Sequence, residues 1–384
     1  MVTADGAALS LALTRAMLSR FPLIDGHNDL PWELREKFGS DPVAAGLTGP
    51  VPGTHTDIPR LVEGGVGGQF WSVFVPGRLA EEAAATAVLE QIDLVHRMIA
   101  AYPNRFQLAL TADDVDAAFT AGRIASLLGA EGGRCIASSL GVLRALYALG
   151  VRYLTLTHNE NVGWADSATS EPDCGGLSDF GREVVAEMQR LGMLVDLSHV
   201  AASTMHAALD AARAPVIFSH SSARAVCDNP RNVPDDVLVR LTANGGVCMV
   251  TFVPFFVSQA ATDWFNGLRA LAESRGIDPR NLGDVFALLP EWEPAHPRPE
   301  ATIGQVADHI DHVREVAGLA HVGIGGDFDG TPSTPVGLHD VSRYPALFAE
   351  LQRRRWSEAD LKGLAGANIL RALRGAEAFA AAHG

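Results

Sequence analysis

Eight short runs rich in β-branched and aromatic residues recur along the chain, at residues 22–25, 70–75, 124–128, 153–157, 194–198, 216–219, 247–252 and 322–325, separated by Ala/Leu-rich stretches. Such runs alternating with helices form parallel sheets, because a parallel return needs a crossover long enough to hold a helix. Eight repeats match a closed barrel, so the pattern predicts a (β/α)8, TIM-like fold. Helices are expected at 81–101, 139–148, 179–191, 202–211 and 235–243, with an extra short segment at 106–110. Thr111-Ala-Asp-Asp114 and Asp179 read as helix caps, and Asp235-Asp236 follows Pro234 at a helix entrance. The 357–382 stretch also reads as helix, packed outside the barrel.

The chain of 384 residues is 47% apolar and 20% charged, enough to build one barrel domain over residues 1–384 around a sizeable core. A formal charge of -15 and the absence of a Lys/Arg-rich run argue against nucleic acid and anionic lipid as partners. The four cysteines, Cys135, Cys174, Cys227 and Cys248, form no CxxC pair and read as reduced thiols. The N-terminal stretch, interrupted by Arg15 and Arg20, lacks the form of a signal peptide, and no apolar window approaches the roughly 20 residues of a membrane span. A cytoplasmic protein with no membrane partner is expected.

Three long connections, 32–68, 159–178 and 254–303, follow the C-terminal ends of strands, where barrels carry their chemistry. The last is expected to be an extended loop after a short helix, because it ends in Pro290, Pro294, Pro297 and Pro299. The strand ends themselves are heavily biased. They carry Asp25-Gly-His27-Asn-Asp29, Glu131-Gly-Gly, His158, His199, His220 and Asp327-Phe-Asp329. A single histidine there is ordinarily a hydrogen-bonded structural residue. Several imidazoles and carboxylates converging on one barrel mouth, however, would repel or stay poorly solvated without a cation.

Imidazole and carboxylate without thiolate suit Zn²⁺, with Mn²⁺ or Co²⁺ chemically open, and point to the metal-dependent hydrolase type of barrel. The donor count favours two ions: His27 and Asp29 on one, His199 and His220 on the other, Glu131 bridging. Residues two apart on a strand point the same way, which explains the first pair. A hydroxide shared by the two ions would serve as nucleophile. Asp327, after the side-chain-free Gly323-Ile-Gly325-Gly326, is expected to shuttle the proton, with Asp329 as its competitor. His158 is expected to polarise a scissile carbonyl or steady the oxyanion; the bland alternative bonds it to Asn159 or Asn161.

Seven motifs then fall in a familiar order: Leu23-Ile-Asp-Gly-His-Asn-Asp-Leu-Pro-Trp32, Gly64-Gly-Val-Gly-Gly-Gln-Phe-Trp71, Leu154-Thr-Leu-Thr-His-Asn-Glu-Asn161 with Trp164-Ala-Asp166, Val195-Asp-Leu-Ser-His199, Phe218-Ser-His-Ser-Ser222, Arg231-Asn-Val-Pro-Asp-Asp236 and Gly325-Gly-Asp-Phe-Asp-Gly330. Over roughly residues 22–375 the chain resembles the membrane (renal) dipeptidase family, peptidase family M19. The resemblance implies a (β/α)8 barrel with two zinc ions on His27, Asp29, Glu131, His199 and His220. It further implies substrate binding by His158 and Arg231, proton handling by Asp327, a dipeptide substrate, and a homodimer. A guanidinium fork suits a dipeptide's terminal carboxylate; without the resemblance Arg231 would read as a loop-capping surface residue. Members are similar in accepting varied dipeptides, often with a D-residue at the C-terminal position, and some open β-lactam rings. The 251–256 segment departs from the mammalian branch, so side-chain preference does not carry over, and no leader or lipid-anchor tail is evident.

Rival readings are weaker. Another metal-dependent amidohydrolase, acting on a cyclic amide or N-acyl amino acid, typically shows His-x-His on its first strand and a lysine on its fourth; here stand His27-Asn-Asp29 and Tyr153-Leu-Thr-Leu-Thr157. A non-catalytic peptide-binding barrel would not need every ligand. The Gly323-x-Gly325-Gly326 run precedes no helix and so makes no nucleotide cradle. His309 and His312, beside Asp308 and Asp311, and His206 are expected on solvated helix faces.

Overall fold

In the computed structural model, which describes residues 4–383, nine strands form one wholly parallel sheet. They are β1 (Leu23–Asn28), β2 (Val66–Phe74), β3 (Phe106–Leu108), β4 (Ile124–Glu131), β5 (Val151–Thr155), β6 (Leu194–Asp196), β7 (Val216–Phe218), β8 (Val247–Val250) and β9 (Val322–Ile324). Eight of them close a ring in the order β1-β2-β4-β5-β6-β7-β8-β9, with β9 returning to β1 through the Asp25 and Ile324 pair. The ninth, β3, is the extra segment expected at 106–110. It pairs with β4 only from Ile124 to Ser126, below the point where β5 takes over.

The alternation that predicted strands also sorts their side chains. Ile24, Leu127, Tyr153, Leu194, Ile217, Val247 and Met249 fill the barrel interior. Their sequence neighbours Leu23, Leu128, Leu154, Val195, Phe218, Cys248 and Val250 pack outward against the helices. Burial on both faces explains why these strands read as continuous apolar runs. The helices Glu81–Ala101, Asp179–Leu191 and Ala202–Ala211 occur as expected, and Thr111 and Asp114 form a reciprocal capping box.

Several expectations need correction. The cap of the 179–191 helix is Ser178, whose hydroxyl accepts from the Gly181 N–H, whereas Asp235 and Asp236 do open a helix directly after Pro234. The 357–382 stretch is broken at 363–367 by a π turn, where Gly366 lies against the Pro22 carbonyl. The 32–68 connection contains the helices Leu30–Phe38 and Ile58–Gly64. The 254–303 segment is a helical cap rather than an extended loop: Pro254–Val257, Gln259–Ser274, Leu282–Phe286 and Leu289–Trp292. Its apolar residues Ala261, Phe265, Leu268 and Ala272 recur at helical spacing and bury one face together with Phe255 and Val285. Pro290 starts a helix here, where a missing N–H costs nothing. Among the described residues no helix is long and apolar enough to cross a membrane, and none of the four cysteines is paired.

His309 is the other correction, because it is fully buried rather than solvated. Its Nδ1 accepts from the Ala223 N–H at 3.1 Å and its Nε2 donates to the Val257 carbonyl at 3.0 Å, joining the loop after β7 to the cap. The first of these bonds requires neutral imidazole, because a protonated Nδ1 cannot accept. His206 and His312 sit at the protein surface, paired with Asp236 and Asp235.

Burial holds the His309 pKa down, from 6.5 to about 4. The unfolded chain therefore takes up a proton first, so the stability that neutral His309 contributes is lost as pH falls from about 6.5 toward 4. Urea unfolding at pH 7 and pH 4.5 is expected to show the advantage of the native protein over His309→Gln shrinking at the lower pH. An advantage that does not change with pH would contradict this.

Candidate metal centre

Five expected donors meet at the C-terminal mouth of the barrel. His27 Nε2 lies 3.3 Å from Asp29 Oδ2 and 3.4 Å from Glu131 Oε2. The other oxygen of Glu131, Oε1, faces His199 Nε2 at 3.0 Å and His220 Nε2 at 3.4 Å. One carboxylate thus turns its two oxygens toward two separate donor sets. All five residues are buried. The reason given for the first pair is corrected: Asp29 lies beyond β1, at the entrance of the Leu30–Phe38 helix, and a register irregularity between Asp25 and Asn28 precedes it. Its carboxylate reaches His27 through that turn rather than through strand alternation.

The cluster is continuous beyond these five. Donor atoms lie within 4.8 Å of one another in three trios: His27, Glu131 and His220; Glu131, His158 and His199; and His27, Asp29 and Asp327. His158 and Asp327 therefore border the same centre. The trios cut across the expected division, which rests instead on the Glu131 oxygen that each histidine faces.

The electrostatics favour a cation at this cluster. Burial opposes charge on Glu131, but His27 and hydrogen bonds from His199 and His220 hold its carboxyl well below the usual range. Burial keeps His199 and His220 well below theirs, hence neutral and able to ligate. His27 goes the other way: burial disfavours its charge, yet Tyr153, Glu131 and Asp29 pull its pKa well up. Positive charge is thus favoured among the carboxylates. His27 Nε2 is completely buried without a hydrogen-bond partner, and His199 Nε2 and His220 Nε2 face each other at 3.0 Å. Nitrogen lone pairs and carboxylate oxygens converging without a thiol suit zinc.

Three non-glycine residues here, His199, Asp327 and Asp329, adopt left-handed backbone at φ 69°, 59° and 68°. Such conformations cost of order 1–3 kcal/mol each and concentrate at functional sites. The glycines before Asp327 do allow close approach, though toward the barrel wall: a Cβ on Gly325 would lie 1.8 Å from the Ser219 carbonyl.

Asp327 and Asp329 differ in what they touch. Asp329 Oδ1 accepts from the His55 N–H at 2.5 Å, and its own N–H donates to His55 Nδ1 at 3.0 Å, so it ties down the 54–56 loop. Asp327 instead faces His27 and Asp29, and burial raises its pKa well above the usual carboxyl value. His158 bonds neither asparagine offered as its structural partner: Asn159 donates to the Arg280 carbonyl, and Asn161 to that of Glu171. Its ring packs between those of Phe74 and His199, at 4.8 and 4.4 Å.

Arg231 is no surface residue. The residue is 3% exposed, and its guanidinium lies 5.0 Å from the Phe256 ring centre and makes only 3.5 Å contacts to Ser221 Oγ and the His220 carbonyl. Burial lowers its pKa to about 10, and no carboxylate among the described residues pairs with it. It lines a cavity of about 650 Å³ with Asp29, Glu131, His158, Phe256 and Asp327. Phe256, in the 251–256 segment, is a contributor that sequence reasoning missed.

The membrane dipeptidase (peptidase family M19) sequence profile matches residues 11–383. The chain is 42% identical over 367 residues to Dipeptidase 3 of Rattus norvegicus, covering 94% of this chain and 66% of that protein. The structure of the probable dipeptidase PvdM from Pseudomonas aeruginosa superposes with a TM-score of 0.85 at 23% identity, covering 97% of this chain and 99% of the other, a likeness of fold. A metallo peptidase from Rhodobacter sphaeroides, liganded with a phosphinate mimic of the dipeptide L-Ala-D-Ala, gives a TM-score of 0.77 at 25% identity over 93% of this chain and 99% of the other. The chain belongs to the membrane dipeptidase family, peptidase family M19.

Proposed function

We propose that this protein is a zinc dipeptidase that hydrolyses the peptide bond of dipeptides, L-Xaa-D-Xaa included. The observation that carries the reading is Glu131, whose two oxygens address separate imidazole sets beside an unpaired, buried guanidinium. His27 and Asp29 would hold one zinc ion, His199 and His220 the other, and Glu131 both. When bound, such a pair supplies a nucleophile from water at neutral pH and Lewis acidity toward the scissile carbonyl.

The protein's own residues do the rest. Arg231 pairs with the substrate's C-terminal carboxylate. Its Nη2 lies 3.5 Å from the His220 backbone carbonyl, and it shares the cavity with Glu131, His158 and Asp327, so a carboxylate held there lies in the same pocket as the reacting groups. His158 donates to the carbonyl oxygen as it gains negative charge. Asp327 takes a proton from the attacking water while the C–O bond forms, then delivers it to the leaving nitrogen as the C–N bond breaks, releasing two amino acids. Its burial favours the protonated form needed for the second step. The inclusion of L-Xaa-D-Xaa substrates draws on the Rhodobacter relative, whose ligand mimics L-Ala-D-Ala.

Exhaustive chelation is expected to abolish L-Ala-D-Ala and L,L-dipeptide turnover and added zinc to restore it; full turnover by metal-free protein would overturn the reading. Asp327→Asn is expected to keep its metal content and lose at least about 100-fold in kcat. Near-normal kcat would instead assign the proton to Asp329. Arg231→Met is expected to cost roughly 30-fold or more in kcat/KM for free dipeptides and much less for carboxyl-amidated ones. Equal losses for both substrates would refute the carboxylate clamp.

A further inference from the structure

We propose that Tyr153 and the Ser219–Asp196 pair are positioning residues that fix the imidazole tautomers of His27 and His220, presenting Nε2 of each as a lone pair to the metal centre. The inference rests on the zinc reading above and assigns roles to residues on β5 and β6 and just past β7.

The Tyr153 phenol crosses the barrel interior and ends 2.8 Å from His27 Nδ1 and 3.1 Å from the Gly26 carbonyl. A carbonyl only accepts, so the one phenolic proton goes to Gly26. The phenolic oxygen then accepts from His27 Nδ1–H, leaving Nε2 without a proton. The opposite tautomer would leave Nδ1 taking the phenolic proton and set two oxygens 3.1 Å apart with no hydrogen between them. The barrel makes room for this ring: a Cβ on Gly129 of β4 would lie 1.9 Å from the ring carbon that bears the hydroxyl.

The same logic holds at His220. The Asp196 carboxylate accepts from Thr155 Oγ1 at 2.5 Å, from Ser219 Oγ at 2.6 Å, and from the Ser198 and Ser219 N–H groups at 3.1 and 2.8 Å. Ser219 spends its only hydroxyl proton on Asp196, so its oxygen accepts from His220 Nδ1–H at 2.8 Å. His220 Nε2 is again the free lone pair. His199 has no such partner, since its Nδ1 is buried and unbonded. Outer hydrogen bonds of this kind orient a ligating histidine and typically contribute 10- to 100-fold in metal affinity.

The test is zinc affinity, measured by chelator competition with metal analysis on the purified full chain, alongside circular dichroism and melting temperature. Tyr153→Phe keeps the ring and removes the oxygen; it is expected to weaken one of two zinc equivalents by about 10- to 100-fold with its fold intact. Ser219→Ala is expected to weaken the other. Phe70→Leu, which disturbs the ring packed 5.2 Å from Tyr153 without touching the hydrogen bond, is expected to bind zinc like the native protein. Unchanged zinc affinity in both Tyr153→Phe and Ser219→Ala would overturn the tautomer roles while leaving the dipeptidase reading standing, and so would an equal loss in Phe70→Leu. A native protein that binds no zinc would overturn both.

Discussion

A carboxylate sunk among three imidazoles governs the mouth of this barrel. Glu131 is 4% exposed and forms no ion pair with a lysine or arginine among the described residues; its oxygens face His27, His199, His220 and the Ser72 hydroxyl, with the Arg231 guanidinium farther off in the same pocket. Neutral imidazoles cannot neutralise an anion, and burying one uncompensated is expensive. The same anionic surroundings act on His27, whose pKa is drawn well up against its burial by Tyr153, Glu131 and Asp29. Two divalent ions would compensate that anionic charge and turn it to chemical use.

Holding the donors in register falls largely to a second buried acid. Asp25 accepts from the His27 N–H, the Gly326 N–H, Gln69 Nε2 and the Tyr344 hydroxyl. One side chain therefore fixes the backbone just before His27 and just before Asp327, on the two strands that close the barrel with a single residue pair. The C-terminal region enters the site through the same contact, because Tyr344 comes from the helix that follows β9. The backbone at His27 and the backbone leading into Asp327, the proposed metal donor and proton shuttle, are thus set relative to each other by hydrogen bonds to one buried carboxylate.

Much of this was legible in the sequence because it follows from periodicity. Ile24 beside Leu23 and Leu127 beside Leu128 face opposite sides of a parallel strand, and eight such runs leave few architectures other than a closed barrel. His27, Glu131, His199 and His220, far apart in the chain, were legible as a group because each stands at or near the C-terminal end of a strand. The features that escaped detection depend on partners distant in sequence. Tyr153 figured only as a position that lacks lysine, and its hydroxyl gains meaning from a histidine 126 residues away. His309 lies among acids, a local signal of solvent exposure, yet the cap and the loop after β7 enclose it. The cap was read as a loop because proline suggests irregular chain, although proline also begins helices. Arg231 gained its role from family likeness, and its burial without a counter-ion emerges only in three dimensions.

The central claim is that Glu131 bridges two cations. A crystal structure of zinc-loaded protein, with anomalous data collected on both sides of the zinc absorption edge, tests it most directly. Two zinc peaks about 3.5–4 Å apart, one on each Glu131 oxygen with His27 and Asp29 on one and His199 and His220 on the other, are the expected result. A single peak, or peaks that leave either Glu131 oxygen without a metal, would contradict the account.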